Sequence, residues 1–141
     1  MKKERKRIRR GGLERLGSLL MSGIFVYGGY EALRHPGPRV QKAEKLGLAS
    51  PEMMVRANGA AMIAGGVALG LGWKPKLTAL GLAAALVPTT IAGHRFWEER
   101  DPKGRSMQLT QFLKNLAILG GLLVILSKRR SVRVPAVDEE E

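Results

Sequence analysis

Two stretches of this chain would leave an α-helix no side to turn toward water. Residues 60–72 (AAMIAGGVALGLG) and 79–87 (ALGLAAALV) are Ala, Gly, Leu, Val, Met and Ile throughout. A helix on the surface of a soluble bundle carries an apolar stripe and a polar back; here the back is missing. The two stretches lie within four apolar islands: LGSLLMSGIFVYGGYEAL (16–33), ANGAAMIAGGVALGLGW (57–73), LTALGLAAALVPTTIAGHRFW (77–97) and LTQFLKNLAILGGLLVILS (109–127). Each approaches the roughly 20 residues needed to cross the hydrocarbon of a bilayer, and Lys or Arg flanks each one. The expected architecture is all-α: a polytopic membrane protein, a four-transmembrane-helix bundle with spans near 15–34, 54–73, 76–97 and 108–127. One membrane domain, 13–127, then sits between a basic tail, 1–12, and a second tail, 128–141, ending in DEEE; both tails are expected to be disordered.

The net charge of +12 invites nucleic acid or an anionic membrane as partner. Its distribution favours the lipid bilayer. MKKERKRIRR (1–10) and SKRRSVR (127–133) abut apolar islands, where anionic headgroups attract juxtamembrane cations. Aromatic residues are only 5% of the chain, and none interleaves with the basic runs to stack bases, so nucleic acid is not expected. Orientation follows from Lys and Arg beside the spans. With four spans both termini share a side, and that side carries 14 Lys and Arg against 8 on the other. Both termini are therefore expected in the cytoplasm, and the chain in the cell membrane as a multi-pass protein. The first island lacks a small-x-small cleavage window after residue 30, and Arg9-Arg10 runs into Gly-Gly and Glu14-Arg15; it reads as an uncleaved span.

Helices in lipid associate through close packing. In the second island Ala60, Ala64, Ala68 and Gly72 recur every four residues, with Ala61 and Gly65, and Gly66 and Gly70, alongside. These faces, with Gly81 and Ala85 in the third island, are the expected contact surfaces. Pro88 removes a backbone donor and is expected to kink the third helix, with Thr89 and Thr90 positioned to bond exposed carbonyls.

The polar residues inside the islands gather toward one end of an antiparallel bundle. Glu31 closes the first island, Asn58 opens the second, His94 ends the third, and Gln111, Lys114 and Asn115 open the fourth. Gln111 and Asn115 are four apart and share a face. Polar groups at such depth cost free energy unless paired, which makes this cluster the candidate site. Each member also has a structural reading: Glu31 pairing with Arg34 or His35, Lys114 turning its amine to the interface, His94 as a hydrogen-bonding strut. No catalytic residue is assigned. The chain has no cysteine, which excludes thiol chemistry and thiolate-bound metal within it. No metal-ligand spacing, Ser-His-Asp order or phosphate-cradling Gly-rich loop is present.

Residues 88–123, PTTIAGHRFWEERDPKGRSMQLTQFLKNLAILGGLL, resemble the hallmark region of the DoxX family of small four-helix bacterial and archaeal membrane proteins. The elements stand in the family's order: Pro88-Thr89-Thr90, Gly93-His94, Phe96-Trp97, Asp101-Pro102, Arg105, Gln108, then Phe112, Lys114 and Asn115. RHPGPRVQKAEKLGL (34–48) resembles the family's first loop, so the likeness covers about residues 15–127. It implies kinship with quinone-linked thiosulfate oxidation subunits, and with membrane assemblies that include superoxide-detoxifying and sulfur-transferring proteins. Many relatives carry a Glu early in the second span where this chain has Asn58, a departure that weakens any proton-relay role resting on that carboxylate.

The expected function is a non-catalytic scaffold or subunit of a membrane-associated redox or stress-protection complex, partnered by redox or sulfur-transfer proteins or by further copies of itself. The alternative is a quinone-interacting subunit of a membrane oxidoreductase; quinone is the one cofactor left open. A small-solute transporter ranks below both, because four short spans are expected to leave little cavity unless the chain dimerises.

Overall fold

The computed structural model describes residues 2–128, which form five α-helices: α1 (Lys2–Arg34), α2 (Gly37–Glu44), α3 (Pro51–Gly70), α4 (Pro75–Gly93) and α5 (Pro102–Ser127). The segment 129–141, with its basic run and acidic end, lies outside the described residues. Helix α1 begins at Lys2, so the backbone of residues 2–12, expected as a disordered tail, continues the first helix. Three helices open with proline at the first helical position, Pro51, Pro75 and Pro102, where its missing donor costs nothing and its fixed φ suits the helix. At its other end α3 stops at a tight turn. Gly72 takes φ +70°, and the Trp73 amide reaches back to the Ala68 carbonyl at 2.9 Å, the bonding pattern that glycine permits at a helix C-terminus. The Thr78 hydroxyl donates to the Trp73 carbonyl at 2.8 Å and holds α4 against that turn.

The four long helices run up and down. Gly29 meets Gly59 and Ser22 meets Gly70, so α1 and α3 are antiparallel. Asn58 bonds Thr89 at the other end from the Trp73–Thr78 turn, and His94 and Asn115 tie α4 to α5 in the same sense. The circuit closes where Met21 lies against Gly121 and Lys128 pairs with Glu14 at 3.0 Å. Phe25, Leu69, Leu82 and Leu122, one from each long helix, are the fully buried large side chains and form the centre of the core.

Helices α3, α4 and α5 are each long and apolar enough to cross a membrane; α1 is not one of these three. Most of their apolar surface faces outward. Only 11% of the apolar window of α5 is buried inside the chain, and Leu113, Leu123 and Val124 are more than half exposed. A contiguous greasy exterior of this extent marks a surface made for lipid or for another protein.

The packing face of α3 differs from the expected one. Gly59, Met62, Gly66 and Leu69 point inward, while Ala60 and Ala64 are exposed and Gly72 ends the helix. The α1–α3 crossing is a contact of backbones: a Cβ on Gly29 would overlap the Gly59 carbonyl oxygen, and one on Gly59 would lie 2.9 Å from both the Ala32 Cβ and the Gly29 carbonyl oxygen. The expected roles of Gly65, Gly66 and Gly70 hold, Gly65 against Leu82 of α4 and the other two against α1. Gly81 meets nothing across the bundle, whereas Ala85 is buried as expected. Because α1 and α3 touch through their main chains, Gly59→Val is expected to cost about 1–3 kcal/mol by overpacking. Ala64→Val, outward on the same helix, is expected to stay within about 0.5 kcal/mol of the parent; unfolding in mixed micelles compares the two, and equal effects would contradict the crossing.

Candidate functional site

Helix α4 supplies the middle of the site. It remains helical through Pro88, whose ring nitrogen cannot donate to the carbonyl of Ala84. The two residues that follow turn their hydroxyls back along the helix: Thr89 donates to the Ala85 carbonyl at 2.8 Å and Thr90 to the Leu86 carbonyl at 2.7 Å. The threonines thus bond the two carbonyls next along from the one left without an amide donor. Each hydroxyl oxygen then serves as acceptor for a neighbouring helix. Asn58 of α3 donates to Thr89 Oγ1 at 2.8 Å, and the buried Asn115 of α5 donates to Thr90 Oγ1 at 3.0 Å. A two-residue Thr-Thr step therefore clamps three helices together.

One turn further on, His94 caps α4 and donates from Nδ1 to Gln108 Oε1 of α5 at 2.9 Å; Nε2 is left as the ring's acceptor. The loop beyond is held by aromatic packing. Phe96, Trp97 and Phe112 contact one another edge to face, with ring centroids 5.1–6.0 Å apart, an arrangement that adds to simple area burial. Asp101 then caps α5, accepting the Gly104 amide at 2.7 Å, with Pro102 at the first helical position. Phe96, Trp97, Asp101, Pro102 and Phe112 are thus structural parts of the α4–α5 connection. Arg105 contributes its backbone amide, bonded to the Asp101 carbonyl.

Beside the clamp lies a partly open cavity of about 790 Å³, bordered by residues of all five helices. Its volume falls in the roughly 300–1,000 Å³ range of small-molecule sites. Its body is apolar, from Phe25, Met62, Leu86 and Ile118, and its polar lining includes Asn58, Thr89, His94, Lys114 and Asn115. Four of the six residues of the expected cluster therefore meet at one cavity. Glu31 does not; it pairs with His35 at 3.5 Å. Gln111 does not line it either, and its side-chain oxygen accepts from the Lys114 amine. The expectation that four short spans leave little cavity is corrected: the helices are spaced around one.

Two lining residues, Arg39 and Lys42, come from outside the expected cluster. Both sit on α2, within the segment 34–48 that the sequence reading treats as loop. The signal for this helix is present: Pro38 in its first turn and apolar Val40 and Ala43 three apart. Ala43 is buried, and the Lys42 amine donates to the carbonyl of Gly93, at the end of α4. Burial pushes the Lys42 pKa below the ordinary 10.5, and Arg39 and Lys45 push it the same way against an opposing pull from Glu99. Lys42 is thus a partly desolvated cation among like charges. Among the described residues no three His, Asp or Glu side chains gather as a metal site.

A helical bundle with an apolar exterior, a polar clamp near one end and a cavity beside it defines a small membrane protein with an internal ligand-sized space. The DoxX family model matches residues 16–95, more than half of the chain, and the chain belongs to that family. The match takes in α2, Asn58, Pro88, Thr89, Thr90, Gly93 and His94, and stops short of Phe96 and everything after it. No curated protein and no solved structure gives a significant match to this chain.

The clamp has a measurable signature. Asn115→Ala and Thr90→Val are expected to show a coupling energy of about 0.6 kcal/mol, at most near 1.7, as interhelical hydrogen bonds in membranes do. Asn115→Ala with Gln111→Ala is expected to be additive. Double-mutant cycles by unfolding in mixed micelles check this, and additivity of the Asn115–Thr90 pair would remove the clamp.

Proposed function

We propose that the chain crosses the cell membrane four times with both termini in the cytoplasm, and serves as a non-catalytic subunit of a redox or stress-protection assembly. The first span is the part of α1 over about residues 15–34. The observation that carries the subunit reading is what the polar cluster does: Asn58, Asn115 and His94 each commit a hydrogen bond to a neighbouring helix, at Thr89, Thr90 and Gln108. Polar groups committed to neighbouring helices are poor candidates for proton or electron chemistry, and good ones for fixing a rigid platform. The exposed apolar face of α5 is the surface on which a membrane partner can pack.

A second reading, a quinone-handling subunit, draws on the cavity and on His94, whose Nε2 is free to accept a bond from a reduced head group.

Topology and role are tested separately. The cysteine-free chain is a clean background for labelling: in intact cells Glu98→Cys should react with a membrane-impermeant maleimide and Lys76→Cys should react only after lysis. The reverse pattern would invert the orientation. For the role, purification from membranes in mild detergent should bring down redox or sulfur-transfer proteins, and deletion should sensitise cells to peroxide or thiol stress. A chain that purifies alone and whose loss leaves both sensitivities unchanged would refute the subunit reading.

A further inference from the structure

The charged residues lining the cavity are all cations. Arg39 and Lys42 line it from α2 and Lys114 from α5, all three close enough to His94 for their charge to act on it, and among the described residues no Asp or Glu lines it. The three cations are bonded to neutral acceptors: Arg39 to the His35 carbonyl, Lys42 to the Gly93 carbonyl, Lys114 to the Gln111 side chain. The ion pairs among the described residues use other cations, Arg56, Arg95 and Lys128, and Glu31 faces His35. Glu99 is the acid whose field favours a charged Lys42, and it lies outside the lining.

The rest of the lining is largely apolar, with Phe25, Met62, Leu86 and Ile118 among it. Lys42 is a half-buried cation beside this low-dielectric space and gains from an anion there; Arg39 is half-buried as well and Lys114 is exposed. An Arg has five donors and a Lys three, so each of these side chains retains donors after its one bond. A neutral head group would meet those donors and leave the charge uncompensated. An anionic head would meet both, while its chain filled the apolar body.

We infer that this cavity binds an anionic amphiphile, a single apolar chain ending in a carboxylate or phosphate, with the head against Arg39, Lys42 and Lys114. The inference rests on the membrane setting of the family and is independent of any partner protein. It assigns α2 a purpose: the helix brings two of the three cations to the cavity and is pinned there by the Lys42–Gly93 bond.

The test uses the full chain purified in a non-ionic detergent and titrated with labelled oleate, oleyl phosphate, oleyl alcohol and decylubiquinone. Oleate and oleyl phosphate are expected to bind saturably at one per chain, with oleyl alcohol about tenfold weaker or worse, since a charge-assisted hydrogen bond is worth about that factor. Inorganic phosphate in excess should not displace oleate, because it has no chain to fill the cavity. Arg39→Gln combined with Lys42→Gln should weaken oleate about tenfold or more while leaving oleyl alcohol binding intact, which also shows that the variant is folded. Lys76→Gln, at the other end of the bundle, should change neither. Equal affinity for oleate and oleyl alcohol, unchanged oleate binding by the double variant, or displacement by inorganic phosphate would each overturn the inference. Saturable decylubiquinone binding without oleate binding would overturn it too, and would leave the quinone reading standing. Failure of both ligands would not touch the subunit reading, which the co-purification addresses.

Discussion

Within an apolar solvent a polar group must find its partner inside the protein, and the end of this bundle that holds the threonine clamp is organised by that requirement. Pro88 deprives one carbonyl of α4 of its amide donor, and the two threonines after it crowd hydroxyls onto the next carbonyls. Those hydroxyls then attract the amides of Asn58 and Asn115. Among the described residues no buried side-chain nitrogen or oxygen lacks a partner. In water such bonds would be worth little, since solvent offers the same bonds to the separated helices. In hydrocarbon the alternative is an unsatisfied group, and the cost of that alternative is what makes a few amides and hydroxyls sufficient to set helix register.

The same end of the molecule contains the cavity, and the two features bear on each other. Asn58 and Asn115 each give a donor to a threonine, whereas Arg39, Lys42 and Lys114 keep several donors after one bond each. A space that is polar in its lining residues is therefore electrostatically one-sided. The short helix α2 creates this asymmetry. It follows the first long helix after only Pro36 and its neighbour, and its seat against the end of α4 brings Lys42 to a carbonyl that would otherwise lack an amide donor.

What could be read from the sequence divides along a physical line. The long helices were legible as apolar islands, but their starts were not: spans were expected from about 54, 76 and 108, whereas the helices open at Pro51, Pro75 and Pro102, where proline rather than hydropathy sets the first turn. The DoxX likeness, carried on residues 88–123, is supported by the family match over 16–95, which shares Pro88 to His94 with it. The inward face of α3 was not legible. A helix that is apolar all round gives no rotational signal, since lipid and protein interior accept the same side chains; Ala60 and Ala64 repeat as regularly as Gly59 and Gly66, yet only the latter pair is buried. Arg39 and Lys42 were missed for a related reason. In a basic loop every cation looks like a topology signal, and only the fold distinguishes those turned toward the cavity.

The main-chain contact between Gly29 and Gly59 has a consequence for how this protein tolerates change. A water-soluble core is damaged mostly when atoms are taken away and a void is left. Here the tightest junction consists of missing side chains, so the harmful substitutions there are the ones that add a methyl group or more. Two helices whose axes are set by absence cannot drift apart in sequence independently: any bulk acquired on one must be matched by a shift of the other, and the long helices α4 and α5, which rest on them in turn, would have to follow.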